Sequence, residues 1–119
     1  MTSPEIIALE QRYRDLTEQL GTLGFAVPGT VLQRFTHCAS ATCHCHNDPP
    51  QLHGPYWQYT RKLAGKTLTR RITAEQADTY RKWIANRRLL DEILDQMDTL
   101  SRQASDLTTA KLKAKTPAS

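Results

Sequence analysis

Residues 38–56 read CASATCHCHNDPPQLHGPY and contain every cysteine of the chain. Three cysteines and one histidine follow the spacing C-x4-C-x-C-x7-H: Cys38, Cys43, Cys45 and His53. Three thiolates and one imidazole are a recognised ligand set for a structural zinc ion, and four protein ligands leave no open position for water. Thiolates disfavour magnesium and calcium, which prefer oxygen. The stretch therefore predicts a structural Zn²⁺ site.

The fourth ligand is the open point of this site. His53 is the preferred candidate because it ends the loop, directly before the turn signal Gly54-Pro55. His46 is the alternative, and His37 also stands beside the cysteines. His44 lies between two cysteine ligands and is expected to point away from the ion.

The cysteine pattern also bears on the cellular setting. Three is an odd number and the cysteines lie within eight residues, so a disulfide would close almost no loop. Thiols without a metal, or a redox-active pair at Cys43 and Cys45, are the remaining alternatives. The N-terminus shows no secretory signal, and no apolar run approaches the roughly 20 residues that cross a bilayer. We expect a cytoplasmic protein with no membrane association.

Length and charge suggest a single domain with an uneven electrostatic field. The chain has 119 residues, 39% of them hydrophobic and 24% charged, with a net charge of +4. Residues 29–71 hold six basic side chains against one acid, whereas residues 1–28 and 89–110 are net acidic. A basic block between two acidic segments is a candidate surface for a polyanion.

The first segment, residues 1–28, is predicted to be a coiled-coil helix. Ser3 can cap it and Pro4 suits its first position, while Pro28-Gly29 closes the segment. Apolar residues follow at alternating spacings of three and four: Ile6, Leu9, Tyr13, Leu16, Leu20 and Leu23.

Residues 29–72 are predicted to form the zinc-binding β module. Three segments, 29–37, 56–62 and 66–72, are rich in residues typical of strands, and residues 63–65 form a turn between the last two. The simplest arrangement is a three-stranded antiparallel sheet with the metal site at one end.

A second, longer helix is predicted over residues 73–110, opened by a capping box at Thr73 and Gln76. Its apolar positions continue the alternating spacing: Trp83, Asn86, Leu90, Ile93, Met97, Leu100, Ala104 and Leu107. Asn86, at one of these positions, could fix the register of a coiled coil. Residues 111–119 are predicted to be a basic flexible tail.

The fold class that follows is α+β, with a zinc-ribbon-like sheet between two helices that pair as an antiparallel coiled coil. The first helix spans about 30 Å and the second about 50 Å, so the first covers about half of the second. A second copy of the chain could cover the remainder, which predicts a homo-oligomer through the helices. A monomer whose far helix end frays is the alternative.

Four short motifs give the chain a resemblance to a protein family: Cys38-x4-Cys43-x-Cys45, His53-Gly54-Pro55-Tyr56-Trp57, Gly65-Lys66-Thr67 and Trp83-Ile84-x-Asn86. They resemble an uncharacterised family of small bacterial proteins, often encoded near transposases and other mobile-element genes. The resemblance covers roughly residues 28–105 and implies that the three cysteines and His53 are metal ligands. It also implies a link to mobile DNA and a recombinase or transposase partner.

Charge and resemblance together predict a non-enzymatic accessory protein that binds nucleic acid, DNA in preference to RNA. Basic side chains would neutralise phosphates and aromatic side chains would stack on bases. The predicted contacts are Arg61, Lys62, Lys66, Arg70, Arg71, Arg81, Lys82, Arg87, Arg88, Trp57 and Tyr59. One alternative is that these charges form an ordinary solvated face and the aromatic residues form the small core under the sheet. A second is a structural coiled-coil adaptor whose zinc module docks a protein. An enzyme is disfavoured because Asp48 is the sole acid near the cysteines.

Overall fold

The structure, a computed structural model, describes residues 3–115, with side chains described through residue 110. Two helices and a three-stranded antiparallel sheet of order β1-β2-β3 confirm the α+β class. The elements are α1 Pro4–Leu20, β1 Thr30–Thr36, a short 3-10 helix His44–His46, β2 His53–Leu63, β3 Lys66–Ile72 and α2 Ala74–Lys115. Neither helix within this range has the length and apolarity needed to cross a membrane.

The helix starts form as predicted from their capping residues. The Ser3 hydroxyl accepts a hydrogen bond from the Ile6 N–H at 3.2 Å. At the start of α2, the Thr73 hydroxyl accepts from the Gln76 N–H at 3.1 Å, and the Gln76 side chain accepts from the Thr73 N–H at 2.9 Å. Both reciprocal bonds of a capping box are therefore present.

The helix ends differ from the predicted boundaries. α1 ends at Leu20, well before the predicted limit at residue 28, and Gly21 follows it. α2 runs for 42 residues to Lys115, past the predicted end at residue 110. Of the predicted flexible tail, residues 116–119 lie outside the described part of the chain.

The register of the sheet assigns side chains to two faces. Trp57 lies opposite Ile72, Tyr59 opposite Val31 and Arg61 opposite Leu68. Because side chains alternate along a strand, the odd-numbered residues of β2 from Trp57 onward share one face, here called the inner face. The even-numbered residues of β2 from position 56 onward lie on the outer face. The turn at residues 64–65 has positive φ at both positions, as a two-residue hairpin requires.

The inner face packs against the first part of α2. The ring of Tyr59 is 97% buried and stacks on Tyr80 with the ring centroids 4.3 Å apart. Trp83 contacts Tyr80 and Phe25 edge to face. The Asn86 amide donates to the Phe25 carbonyl at 2.9 Å. Asn86 thus holds the segment before β1, a role different from the coiled-coil register suggested by its spacing.

The chain divides into two compact units, and α2 contributes to both. The sheet unit consists of residues 25–87, and the helical unit consists of α1 with the part of α2 that follows residue 87. In the helical unit, Leu16, Ile93 and Leu100 form one buried cluster. Partly buried residues of the predicted apolar positions pack against it: Leu9, Tyr13, Leu20, Leu23 and Met97.

This division removes the reason given above for a homo-oligomer. That reason required half of the apolar side of α2 to lack a partner within the chain. Instead, Trp83 packs in the sheet unit, whereas Ile93 and Leu100 pack in the helical unit. Oligomerisation stays a prediction, but unequal helix lengths no longer support it.

Candidate metal centre

The loop between β1 and β2 folds back on itself through backbone hydrogen bonds. The Cys43 N–H donates to the Ser40 carbonyl at 3.2 Å, and the His46 N–H donates to the Cys43 carbonyl at 3.0 Å. The second bond belongs to the short 3-10 helix His44–His46, which carries Cys45 at its centre. Two consecutive turns therefore bring Cys43 and Cys45 back toward the end of β1.

A β-bulge positions the last residue of the site. The pairing of β1 with β2 shifts between Arg34 and Thr36, so that Thr36 lies opposite His53. Gly54 allows this close approach because its φ is +131°, and a Cβ added there would lie 2.7 Å from the Arg34 carbonyl oxygen. β2 thus begins at His53, three residues earlier than predicted, and the histidine is anchored at the end of a strand.

The four predicted ligand side chains lie together, and we call them the Cys/His cluster (Cys38, Cys43, Cys45 and His53). Their ligand atoms all lie within 4.8 Å of one another. The Cys38 and Cys45 sulfurs are 3.6 Å apart, and the Cys43 sulfur is 3.1 Å from His53 Nε2. Ligand atoms of a tetrahedral zinc site with Zn–S bonds of about 2.3 Å are roughly 3.8 Å apart. The Cys/His cluster therefore has dimensions compatible with a metal site.

Hydrogen bonds prepare the sulfurs for a cation. The Cys45 N–H donates to the Cys43 sulfur, which together with contacts to the other cluster members lowers the pKa of Cys43 to about 6. Cys45 is completely buried, and this desolvation raises its pKa above the ordinary value. The Cys38 N–H donates to the Cys45 sulfur at 3.2 Å. A buried thiol beside a thiolate is an arrangement that a bound cation would stabilise.

A second group within 4.8 Å, formed by His37, Cys45 and His46, is less suited to a metal. The His37 and His46 rings stack with their planes only 19° apart. Imidazole lone pairs lie in the ring plane, so two nearly parallel rings direct theirs along separate planes. His46 Nε2 also lies 2.8 Å from the Cys38 carbonyl oxygen, to which it donates in the N–H tautomer. His46 therefore braces the loop, which favours His53 as the fourth ligand.

The predicted nucleic-acid contacts lie on both faces of the sheet and on α2. Lys62 and Arg71 lie on the outer face, whereas Arg61, Lys66 and Arg70 belong to the inner face by register. Along α2, Arg81, Lys82 and Arg87 fall in the sheet unit, and Arg88 falls in the helical unit. The guanidinium of Arg81 lies 4.5 Å from the ring centre of Trp57.

The two aromatic residues of the predicted contact set belong largely to the core. Tyr59 is 3% exposed, stacks on Tyr80 and donates its hydroxyl proton to the Pro28 carbonyl. Tyr59 is therefore placed where no base can stack on it, which corrects its assignment to the binding surface. Trp57 is half-buried on the same face. The sequence alternative, in which these aromatic residues form the core under the sheet, describes Tyr59 correctly.

One residue near the Cys/His cluster was missed by the sequence reasoning. Arg34 lies on β1 directly opposite Tyr56 and lines a cleft beside the cluster. Its face of β1 could have been predicted. Arg34 and Thr36 are two residues apart and share a face in a regular strand. The pairing with Tyr56, however, depends on the register of β1 against β2, which the sequence alone does not reveal.

Comparison with known proteins gives one match. Residues 6–82 match a family described as a domain of unknown function, DUF6788, which amounts to 77 of the 119 residues. The chain belongs to the DUF6788 family. In this DUF6788 protein the match includes most of α1, the whole sheet and the Cys/His cluster, and it ends within the first part of α2. No curated protein and no solved structure matches the chain.

Proposed function

We propose that this DUF6788 protein is a non-enzymatic module that binds nucleic acid and is organised by a structural zinc ion. The observation that carries the proposal is the separation of charge between the two units. The sheet unit holds nine Lys and Arg against three Asp and Glu, a net charge of +6. The helical unit holds seven against nine, a net charge of −2. Positive charge concentrated in one unit attracts phosphates and leaves the other unit free for other contacts.

The chemistry of the Cys/His cluster supports zinc as the ion. Three sulfurs and one imidazole match a Cys3His site, and tetrahedral zinc would take all four. With its coordination filled by protein, such an ion has no position for a substrate or an activated water, which fits a structural role. The sheet unit needs such support, because its buried apolar side chains are few: Cys45, Tyr59, Ala77 and Ile84.

The β2-β3 hairpin is the element best placed to meet nucleic acid. Lys62, Lys66, Arg70 and Arg71 are exposed on or near it. A two-stranded ribbon has the width of a DNA major groove, which supports DNA in preference to RNA. The accessory role beside a recombinase or transposase rests on the family resemblance and is part of the proposal, as is a cytoplasmic location.

A salt titration tests the proposed function. The zinc-loaded chain is titrated with a short random-sequence DNA duplex at increasing salt, with fluorescence anisotropy of the labelled duplex as the readout. We expect log K to fall linearly with log salt, with a slope that reports several phosphate contacts. The same titration after zinc removal should show much weaker binding. A zinc-loaded chain that does not bind at low salt would refute the proposal.

A second candidate function is a protein adaptor, and exposed apolar side chains favour it. Phe35 is 55% exposed and Leu52 is 39% exposed, and both lie in the segment that builds the metal site. In this alternative the sheet, with its zinc-ribbon-like site, docks a protein, and the helices form an antiparallel coiled coil that joins an assembly. Failure to bind DNA at low salt, combined with a native mass larger than the monomer, would favour the adaptor.

A further inference from the structure

A cleft lies on the outer face of the sheet, next to the Cys/His cluster. Its volume is about 390 Å³, and none of its eight lining residues is acidic. Arg34 contributes from β1, Tyr56 and Gln58 from β2, and Arg71 from β3. Cys38 and His53, two members of the Cys/His cluster, also line it. Two arginines from the two outer strands therefore line one cleft over the central strand.

The geometry of the sheet allows both arginines to reach one ligand. Arg34 pairs with Tyr56 and Arg71 pairs with Gln58, so the two arginines are on opposite sides of β2. Two strand spacings separate their backbones by roughly 10 Å across the sheet. An arginine side chain spans more than half of that distance, so both guanidinium groups can meet over β2.

Arg71 is held in a conformation that suits an anion. Its guanidinium carbon lies 3.5 Å from the centre of the Tyr56 ring. Stacking on a ring uses the flat face of the guanidinium and leaves the in-plane N–H groups available. Within the described residues neither Arg34 nor Arg71 forms an ion pair with a carboxylate. The fork geometry of arginine matches the oxygens of a phosphate.

The charge of the metal centre does not cancel the positive charge of Arg34 and Arg71. Three thiolates and one divalent ion carry a net charge of −1, whereas Arg34 and Arg71 carry +2. The cleft thus keeps an excess of one positive charge when the ion is bound. If the arginines served only to balance the metal centre, one of them would suffice.

We infer that this cleft binds a phosphate group between Arg34 and Arg71. Resting on the proposed function, the phosphate is one of a nucleic-acid backbone that crosses the outer face of the sheet. Gln58, which also lines the cleft, can donate a further hydrogen bond to a phosphate oxygen or sugar. Free inorganic phosphate shares this chemistry and is the other possible source.

The test uses the zinc-loaded full chain and single charge-removing variants. Arg34→Gln and Arg71→Gln remove the two arginines of the cleft, and Arg14→Gln removes one exposed arginine of the helical unit as the matched control. Each protein is titrated with the random-sequence duplex at several salt concentrations and, separately, with inorganic phosphate followed by NMR of the Gln58 side-chain amide. Tryptophan emission establishes that each variant stays folded.

We expect each cleft variant to weaken DNA binding by about tenfold and to lower the salt slope by about 1, with little change for Arg14→Gln. Arg71→Lys should keep the salt slope, because it keeps the charge, and lose part of the affinity. Equal losses in all three Gln variants would overturn the cleft while the proposed function stands. If the wild-type chain bound no DNA but phosphate shifted the Gln58 signal, the cleft would stand and its nucleic-acid source would fall. If neither ligand bound, both proposals would be refuted.

Discussion

Removing the metal should unfold the sheet unit and leave most of the helical structure intact. A structural zinc ion contributes on the order of 10–16 kcal/mol of apparent binding energy to folding. The sheet unit has 63 residues, for which a typical stability is roughly 3–9 kcal/mol in total. The contribution of the ion thus exceeds the expected stability of the unit. A strong chelator should therefore unfold residues 25–87 at room temperature.

The structure supplies a separate signal for each unit. Both tryptophans, Trp57 and Trp83, lie in the sheet unit, so their emission should shift to longer wavelength when the chelator is added. The helical unit holds 45 of the 59 residues in the two helices, 17 in α1 and 28 in α2 after residue 87. The circular dichroism signal at 222 nm should consequently fall by about a quarter only. Emission that does not change after proven zinc removal would refute this reasoning, as would loss of more than half of the helical signal.

Two histidine variants, one a test and the other its matched control, identify the fourth ligand. His53→Ala removes a member of the Cys/His cluster and should lower zinc affinity and sensitise the sheet unit to chelator. His46→Ala removes the nearby imidazole that braces the loop, and the bound zinc should stay at one ion per chain. The measurement is the zinc content by native mass spectrometry at limiting chelator. The reverse order of sensitivity would make His46 the fourth ligand.

Three further predictions concern acid, packing and backbone. Lowering the pH from about 7 to about 5 should release the ion, because protons compete for the thiolates and imidazole, and tryptophan emission should report it; a signal that stays constant would contradict this. Ile93→Ala should destabilise the helical unit by about 2–5 kcal/mol, because Ile93 is 1% exposed, whereas Leu94→Ala, at 46% exposed, should change stability little in thermal unfolding. Gly54→Ala should cost about 2 kcal/mol or more, because the new Cβ would meet the Arg34 carbonyl; Gly65→Ala, with open space around it, should cost less in the same assay.

Local signals predicted much of this fold. Ser3 and the Thr73–Gln76 pair mark helix starts by hydrogen bonds that form within four residues. The alternating apolar spacing identified residues that the structure buries, among them Leu16 and Ile93, because a helix repeats its faces at fixed intervals. The Cys/His cluster was predictable because all its ligands come from one short loop.

The features that could not be predicted from the sequence depend on contacts between distant segments. Strand alternation shows that Trp57 and Tyr59 share a face, but it does not show which face of the sheet α2 will cover. Tyr80 of α2 packs on Tyr59, and this contact determines which face of the sheet α2 covers. The hydrogen bond of Asn86 could not be predicted for the same reason, because its partner, the Phe25 carbonyl, is 61 residues away in sequence. The cleft at Arg34 depends on the register of the three strands, which the sequence alone does not reveal.

The contiguity of the four ligands also has a kinetic consequence. Cys38 and His53 are separated by a loop short enough that bringing its ends together costs little chain entropy. The ion can therefore assemble its ligands before the strands pair. Once it has done so, Thr36 and His53 stand opposite each other, and β1 and β2 need only extend from a fixed starting pair. We expect zinc to accelerate the folding of the sheet as well as stabilise it, and a refolding rate independent of zinc concentration would show otherwise.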